Sequence, residues 1–358
     1  MEDQKYILQE ILHIAQTHQV DAIVLAGDIY DKSTPSAEAT ALVSWFFEEI
    51  SSHKIPLIAI PGNHDSAERV GYLSGVLRNQ GLFIAPSFQG KIHSVELTDE
   101  YGPIVFWLFP FVKPAHVRPY FPEAEIESYD DAMRVLIKNC DINENKRNVA
   151  LVHQFITAGS KNPERSDSEL VIGGLDNIDV SAFDAFDYVA LGHIHKPQRV
   201  GREEVRYCGT PLKYSLSEIY HHKSVPLVSL QEKGLVKLNL IPLKPLHDVR
   251  KIEGPLKELI SDEVCADQNC TDYIHACLTD DYLPLNAQSV LREHYPNLIS
   301  LELKQRNHEV NNPLAEKHEL SQKSALELFE EFYKSQNSQE LNSEEKDLVI
   351  SAFEKSQE

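Results

Sequence analysis

Four short polar clusters stand where apolar runs of this chain stop: GDIYD at 27–31, GNHD at 62–65, VHQF at 152–155 and GHIHKPQ at 192–198. Each brings in Asp, Asn or His, whose carboxylate, amide oxygen or imidazole binds hard and intermediate metal ions or moves protons. Taken singly the clusters are ordinary, because Gly, Asn and Asp form turns and a lone His on a strand satisfies a local hydrogen bond. Taken together they can make one site. His193 and His195 stand at i and i+2, so an extended segment points both rings to one face. Two divalent ions about 3.5–4 Å apart need an anionic ligand between them, and Asp28 is the natural bridge. Asn63, His153 and His193 then complete one ion's shell while His195 reaches toward the other. No thiolate belongs to the set, which favours manganese, magnesium or iron over structural zinc, with manganese the first choice.

Such a site needs strands whose carboxyl ends meet. Residues 4–18 place Ile7, Ile11, Ile14 and Ala15 on one helical face, and DAIVLAGD follows as a buried strand running into a turn. The pattern repeats. STPSAEATALVSWFFEEI has helical character with a Ser or Thr start, IPLIAIPGNHD is a strand, and ERVGYLSGVLRNQG is expected as a helix closed by Gly81. From about 82 onward strand signals dominate, in LFIA, PIVFWLF, NVALVHQF, DYVALGHIH, VRYCGTP, SVPLVSL and LVKLNLIPL. The expected fold class is α/β (α+β), a β-sandwich flanked by helices, with ligands bound at strand ends as in open α/β sheets. The texture changes near Pro245, which predicts a first domain over 1–246, a small α+β domain over 247–312 and a polar helical tail over 313–358.

Composition narrows the function classes. A chain of 358 residues is long enough for two domains. Its longest apolar run, IVFWLFPFV at 104–112, falls short of the about 18 residues needed to cross a bilayer. No basic region followed by an apolar stretch opens the chain, so a cytoplasmic location and no membrane partner are expected. The cysteines at 140, 208, 265, 270 and 277 form no C-x-x-C pair and are odd in number, which points to reduced thiols. Cys265, Cys270, His275 and Cys277 lie close together, but their spacing matches no zinc finger. A net charge of -21 argues against indiscriminate nucleic-acid binding, although metal ions or a local basic channel can still receive phosphate.

The order GD, GNHD, H, GHIH, each after an apolar strand, resembles the calcineurin-like metallophosphoesterase superfamily, and within it the SbcD family of nuclease subunits. AQTHQVDAIVLAGDIYD, FDYVALGHIHKPQ and VRYCGTPLKYSLSE carry the closer likeness, which spans nearly the whole chain. The resemblance implies two metal ions, with Asp28 bridging, Asn63, His153 and His193 completing the second and His195 belonging to the first. It makes His64 catalytic, giving a proton or hydrogen bond to the phosphate or leaving oxygen, with Asp65 orienting His64 and Asp31 supporting the turn. It further implies a double-strand exonuclease and single-strand or hairpin endonuclease in DNA repair and recombination. That enzyme would work with an SbcC-type ATPase, as a homodimer within a heterotetramer, paired through helices near 36–50 and 68–80. The segment 247–312 would then be a capping domain. The tail would be a partner-binding clamp, with apolar stripes of Ala325, Leu328, Phe329, Phe332 and Tyr333 and of Leu348, Val349, Ala352 and Phe353.

One feature departs from that family, whose members open with a strand ending in D-x-H that binds the first ion. This sequence opens on a helix and contains no D-x-H, so the true start is expected upstream of Met1. Two other readings stay open: a phosphodiesterase or phosphatase for small molecules, and a catalytically impaired scaffold protein.

Overall fold

Strand β2 (Leu57–Ile60) is apolar on both faces, and its alternation sets the layers. Leu57 and Ala59 pack against Leu12 of helix α1 (Glu2–Thr17) and Phe46 and Ile50 of helix α2 (Ala37–Ser52). Ile58 and Ile60 point the other way, into a second sheet. Each such isoleucine, removed wholly from water, stabilises the fold by about 1.5–3 kcal/mol. The computed structural model describes residues 1–159, 161–166, 177–261 and 269–304, together with Phe329, Tyr333, Lys334, Lys346 and Val349.

The first sheet is three-stranded and parallel, in the order β1 (Ile23–Ala26), β2, β3 (Leu82–Ile84). The second has six strands. It contains β4 (His93–Asp99), β5 (Gly102–Phe109), β6 (Arg147–His153), β9 (Tyr188–Gly192), β10 (Gln198–Val200) and β11 (Arg202–Tyr207), in the order β10-β11-β9-β6-β5-β4. Ile104, Phe106 and Leu108 of β5 and Val149 and Leu151 of β6 meet Ile58 and Ile60 between the sheets. Val105, Trp107 and Phe109 face outward with Ala150 and Val152, under Met133 and Leu136 of helix α3 (Tyr129–Lys138). The expected sandwich flanked by helices is therefore present, in the layer order helix, sheet, sheet, helix. A short pair, β7 (Phe155–Thr157) and β8 (Asn177–Asp179), follows from β6. An antiparallel hairpin, β12 (Ser224–Leu230) and β13 (Val236–Pro242), packs Val228, Leu230, Val236 and Leu238 against the core between the two sheets.

The helix expected over 68–81 is broken. Short helices Ala67–Val70 and Ser74–Leu77 are separated by Gly71 and by Leu73, whose φ is +59°. Gly71 disfavours helix continuation by about 1 kcal/mol relative to Ala, and its backbone lies so close to Pro86 that a Cβ would sit 3.0 Å from the Pro86 Cα. Gly81 does end the segment, at φ +78°.

The chain divides into compact units Met1–Glu302 and Leu303–Glu358. The segment from 247 carries its own sheet of β14 (Val249–Gly254), β15 (Tyr273–Leu278) and β16 (Leu298–Leu303). It is tied to α1 within the first unit, because Asp3 accepts from Tyr273 Oη at 2.9 Å and lies 2.8 Å from His247 Nδ1. The apolar stripes of the tail lie outside the described residues apart from Phe329, Tyr333 and Val349, which are helical.

Candidate metal centre

Four strands from the two sheets end at one place. In the first sheet Ala26 of β1 pairs in register with Ile60 of β2, and the turns that follow carry Asp28 and Asn63. In the second, His153 ends β6 opposite Gly192 of β9, and His193 follows. The backbones meet closely. A Cβ on Gly62 would lie 2.1 Å from Asp28 Oδ1, and one on Gly192 would lie 1.7 Å from the Ala26 carbonyl oxygen. Glycine before Asn63 and His193 is thus a condition of convergence. Asp28 and His193 themselves hold φ values of +48° and +95°, the kind of backbone strain that functional sites retain.

The side chains meet as acceptors. His153 Nε2 lies 2.9 Å from Asn63 Oδ1 and 3.1 Å from Asp28 Oδ2, while His193 Nδ1 lies 3.0 Å from the same Asn63 oxygen. His153 Nδ1 lies 2.7 Å from the Ala26 carbonyl, which can only accept, so Nδ1 carries a proton and Nε2 is the nitrogen that faces the two oxygens. Lone pairs of an imidazole, an amide and a carboxylate gathered at one point repel one another unless a cation lies among them or the ring takes a second proton. Burial, and after it the neighbouring His153, push the His193 imidazole down to about 3, so that ring is neutral and keeps a lone pair to give. Burial works to raise the Asp28 carboxyl, but the His153 ring and the His64 amide outweigh it and hold the group below its ordinary value. This donor set fits a divalent ion. Among the described residues no three His, Cys, Asp or Glu side chains form a cage by themselves; the hub here is the Asn63 amide oxygen. Thiolates stand apart, since burial raises Cys140 to about 12 and Cys208 to about 11.

His64 is exposed beside this cluster. Its backbone N–H donates to Asp28 Oδ1 at 3.0 Å, and its Nδ1 faces the Asp31 carbonyl oxygen at 3.0 Å. Nδ1 is therefore the donor and Nε2 the outward nitrogen. Asp65 was expected to orient this ring. Instead its carboxylate accepts from the backbone N–H groups of Ile29, Tyr30 and Gly62 at 3.1, 2.9 and 2.8 Å, tying the Asp28 turn to the Asn63 turn. The orienting atom is the Asp31 carbonyl. The reason is local: Asp65 follows the Gly62 turn and folds back under it, as Asp side chains do toward N–H groups two or three residues away.

His195 is held differently. Its Nδ1 lies 2.9 Å from Oε1 of Glu218, a fully buried residue whose other oxygen accepts from Lys223 Nζ at 2.6 Å. Lys223 also donates to Thr210 Oγ1 and to the His195 carbonyl, at 2.7 and 2.9 Å. Burial opposes the charge on Glu218, but hydrogen bonds from His195 and Lys223 prevail and bring its carboxyl to about 2. An ionised Glu218 fixes the His195 proton on Nδ1 and assigns Nε2 to any ligand, the arrangement found behind metal-bound histidines. Sequence reasoning gave Glu218 no role. The available signal was a glutamate five residues before a lysine, inside the SbcD-like stretch VRYCGTPLKYSLSE.

A two-sheet sandwich that gathers an Asp, an Asn and two His at its strand ends is the architecture of a metallophosphoesterase, and residues 1–197 match the family model described as calcineurin-like phosphoesterase. The chain belongs to that family, and membership implies divalent metal ions. Residues 245–337 match a second model, described as type 5 capsule protein repressor C-terminal domain. Over 354 residues the chain is 32% identical to the SbcD component of the SbcCD nuclease of Staphylococcus epidermidis, covering 98% of this chain and 91% of that protein. No helix among the described residues is long and apolar enough to cross a membrane.

Proposed function

We propose that this chain is the metal-dependent DNA nuclease component of a complex with an SbcC-type ATPase, cutting duplex ends as an exonuclease and hairpins or single strands as an endonuclease. The observation that carries the reading is the convergence of Asp28, Asn63, His153 and His193 in a chain alike to the staphylococcal nuclease component over nearly its whole length. Two manganese ions suit the donors. Asp28, Asn63, His153 and His193 would hold one ion, with His195 toward the other; when bound, the ions would neutralise phosphate charge and acidify the attacking water. His64, with its Nδ1 on the Asp31 carbonyl, turns Nε2 outward to give a proton to the leaving oxygen. Asp65 contributes by fixing the two turns that carry Asp28 and Asn63. Glu218 holds the tautomer of His195.

The purified full-length protein, with manganese, should cleave linear duplex and hairpin DNA and stop on chelation. Cleavage of nucleotides or phosphomonoesters in its place would favour the small-molecule reading, and bound metal without any turnover would favour the scaffold. Co-purification with an SbcC-type ATPase that is lost on deleting residues 314–358 would support the tail as the partner-binding clamp.

A further inference from the structure

We infer that the cleft floored by Phe155 and walled by Arg165 binds a backbone phosphate of the nucleic-acid strand flanking the scissile one, with Arg165 as its clamp. The inference rests on the nuclease reading above. The cleft has a volume of about 450 Å³ and is lined by Phe155, Asn162, Pro163, Arg165 and Asn177. Its floor is joined to the metal centre through the chain, because Phe155, at the start of β7, follows His153, at the end of β6, across a bend at Gln154. The Arg165 guanidinium stacks on the Phe155 ring, 3.6 Å from its centroid. Stacking fixes the plane of the guanidinium, and no carboxylate among the described residues is paired with it. A planar fork of donors held in this way suits the paired oxygens of a phosphate, and amides at positions 162 and 177 add polar partners at the rim.

The segment carrying Arg165 is pinned by the same turn that carries the metal-centre histidines. The side chain of Gln198 accepts from Glu164 N–H at 2.9 Å and donates to the Glu164 carbonyl at 2.8 Å. Lys196 pairs with the Glu164 carboxylate. Thus HKPQ, directly after His193 and Ile194, sets both His195 and the backbone next to Arg165. In a chain of net charge -21, a stacked cation on a segment anchored to the metal-centre turn is where a polyanionic strand would be received.

The test compares wild type, Arg165→Ala and Arg165→Lys as full-length proteins, measuring bound manganese, DNA affinity across a salt series and the kinetics of DNA cleavage. Arg165→Ala should keep its bound metal, weaken DNA binding about tenfold and lower the slope of log affinity against log salt by about one unit. KM should carry most of the kinetic loss. Arg165→Lys should restore the salt slope while recovering only part of the affinity, since a point charge replaces the fork. Wild type that neither binds nor cleaves DNA would overturn the nuclease reading and the clamp with it. DNA cleavage by wild type with an Arg165→Ala protein of unchanged affinity and salt slope would overturn the clamp alone, as would a loss that tracks loss of metal.

Discussion

His64 and His193 are histidines of one cluster with opposite surroundings. His193 is half-buried against His153, with its Nδ1 3.0 Å from the Asn63 amide oxygen, whereas the exposed His64 ring is held through Nδ1 on the Asp31 carbonyl. His193→Ala should therefore lose bound metal. His64→Ala should keep it and lower turnover by about 10²-fold or more, the loss expected of a positioned acid. Metal analysis beside single-turnover rates separates the two, and equal metal loss in both variants would reverse the assignment. Glu218 allows a test at the same scale. Its folded carboxyl sits near 2 against an ordinary 4.5, so the stability it supplies is complete above about 4.5 and is lost as pH falls toward 2. Glu218→Gln should flatten that acid limb of the unfolding curve. It also leaves the Lys223 ammonium buried without its anion, a change that costs about 3–5 kcal/mol in buried pairs. An unchanged acid limb would show that Glu218 carries no charge in the fold.

At the scale of strands and turns, legibility followed contrast along the chain. The ends of β1, β2, β6 and β9 could be read because each apolar run meets a glycine or an Asp, Asn or His, and the structure brings Asp28, Asn63, His153 and His193 from them into contact. The capping of α2 was likewise readable, since Ser36 accepts from the Ala39 N–H at 3.1 Å. The part played by Asp65 was not, because its partners Ile29 and Tyr30 lie 36 and 35 residues away and belong to backbone N–H groups, which carry no residue signature. The same holds for His195 and Glu218, 23 residues apart and joined only when the short turn Leu216–Glu218 folds beneath the β9 end. The break at Gly71 was hidden by an apolar spacing that suits a continuous helix. Convergence of the four strand ends makes a direct prediction. Gly192→Ala must push the β9 end away from Ala26 and His153, and it should destabilise the fold by about 3 kcal/mol or more and lower metal affinity together. Thermal melts with and without manganese check this, and a variant with native stability and metal content would mean that the sheets yield at this point without consequence.

For the molecule as a whole, the broken segment after β2 matters more than a regular helix would. It displays Tyr72, Leu73 and Val76 at 71%, 52% and 61% exposure, a run of large apolar side chains that a solvated helix face does not normally carry. Leu73 holds a left-handed backbone, which is unfavourable for a bulky residue, so this display is maintained against local strain. The position coincides with the 68–80 segment expected to pair two phosphoesterase cores, and pairing of two copies would cover the patch. Two variants distinguish a pairing surface from incidental exposure. Leu73→Asn supplies a residue that tolerates the left-handed conformation, so it should leave the fold as stable as before or slightly more so while removing apolar contact area. Val76→Asp places a charge in the same patch with no demand on the backbone. Both should shift the protein from dimer to monomer in light scattering at micromolar concentration, with bound manganese unchanged. A wild-type protein already monomeric under those conditions, or a dimer indifferent to both substitutions, would assign these side chains to another partner and leave the pairing of the two cores to a different surface.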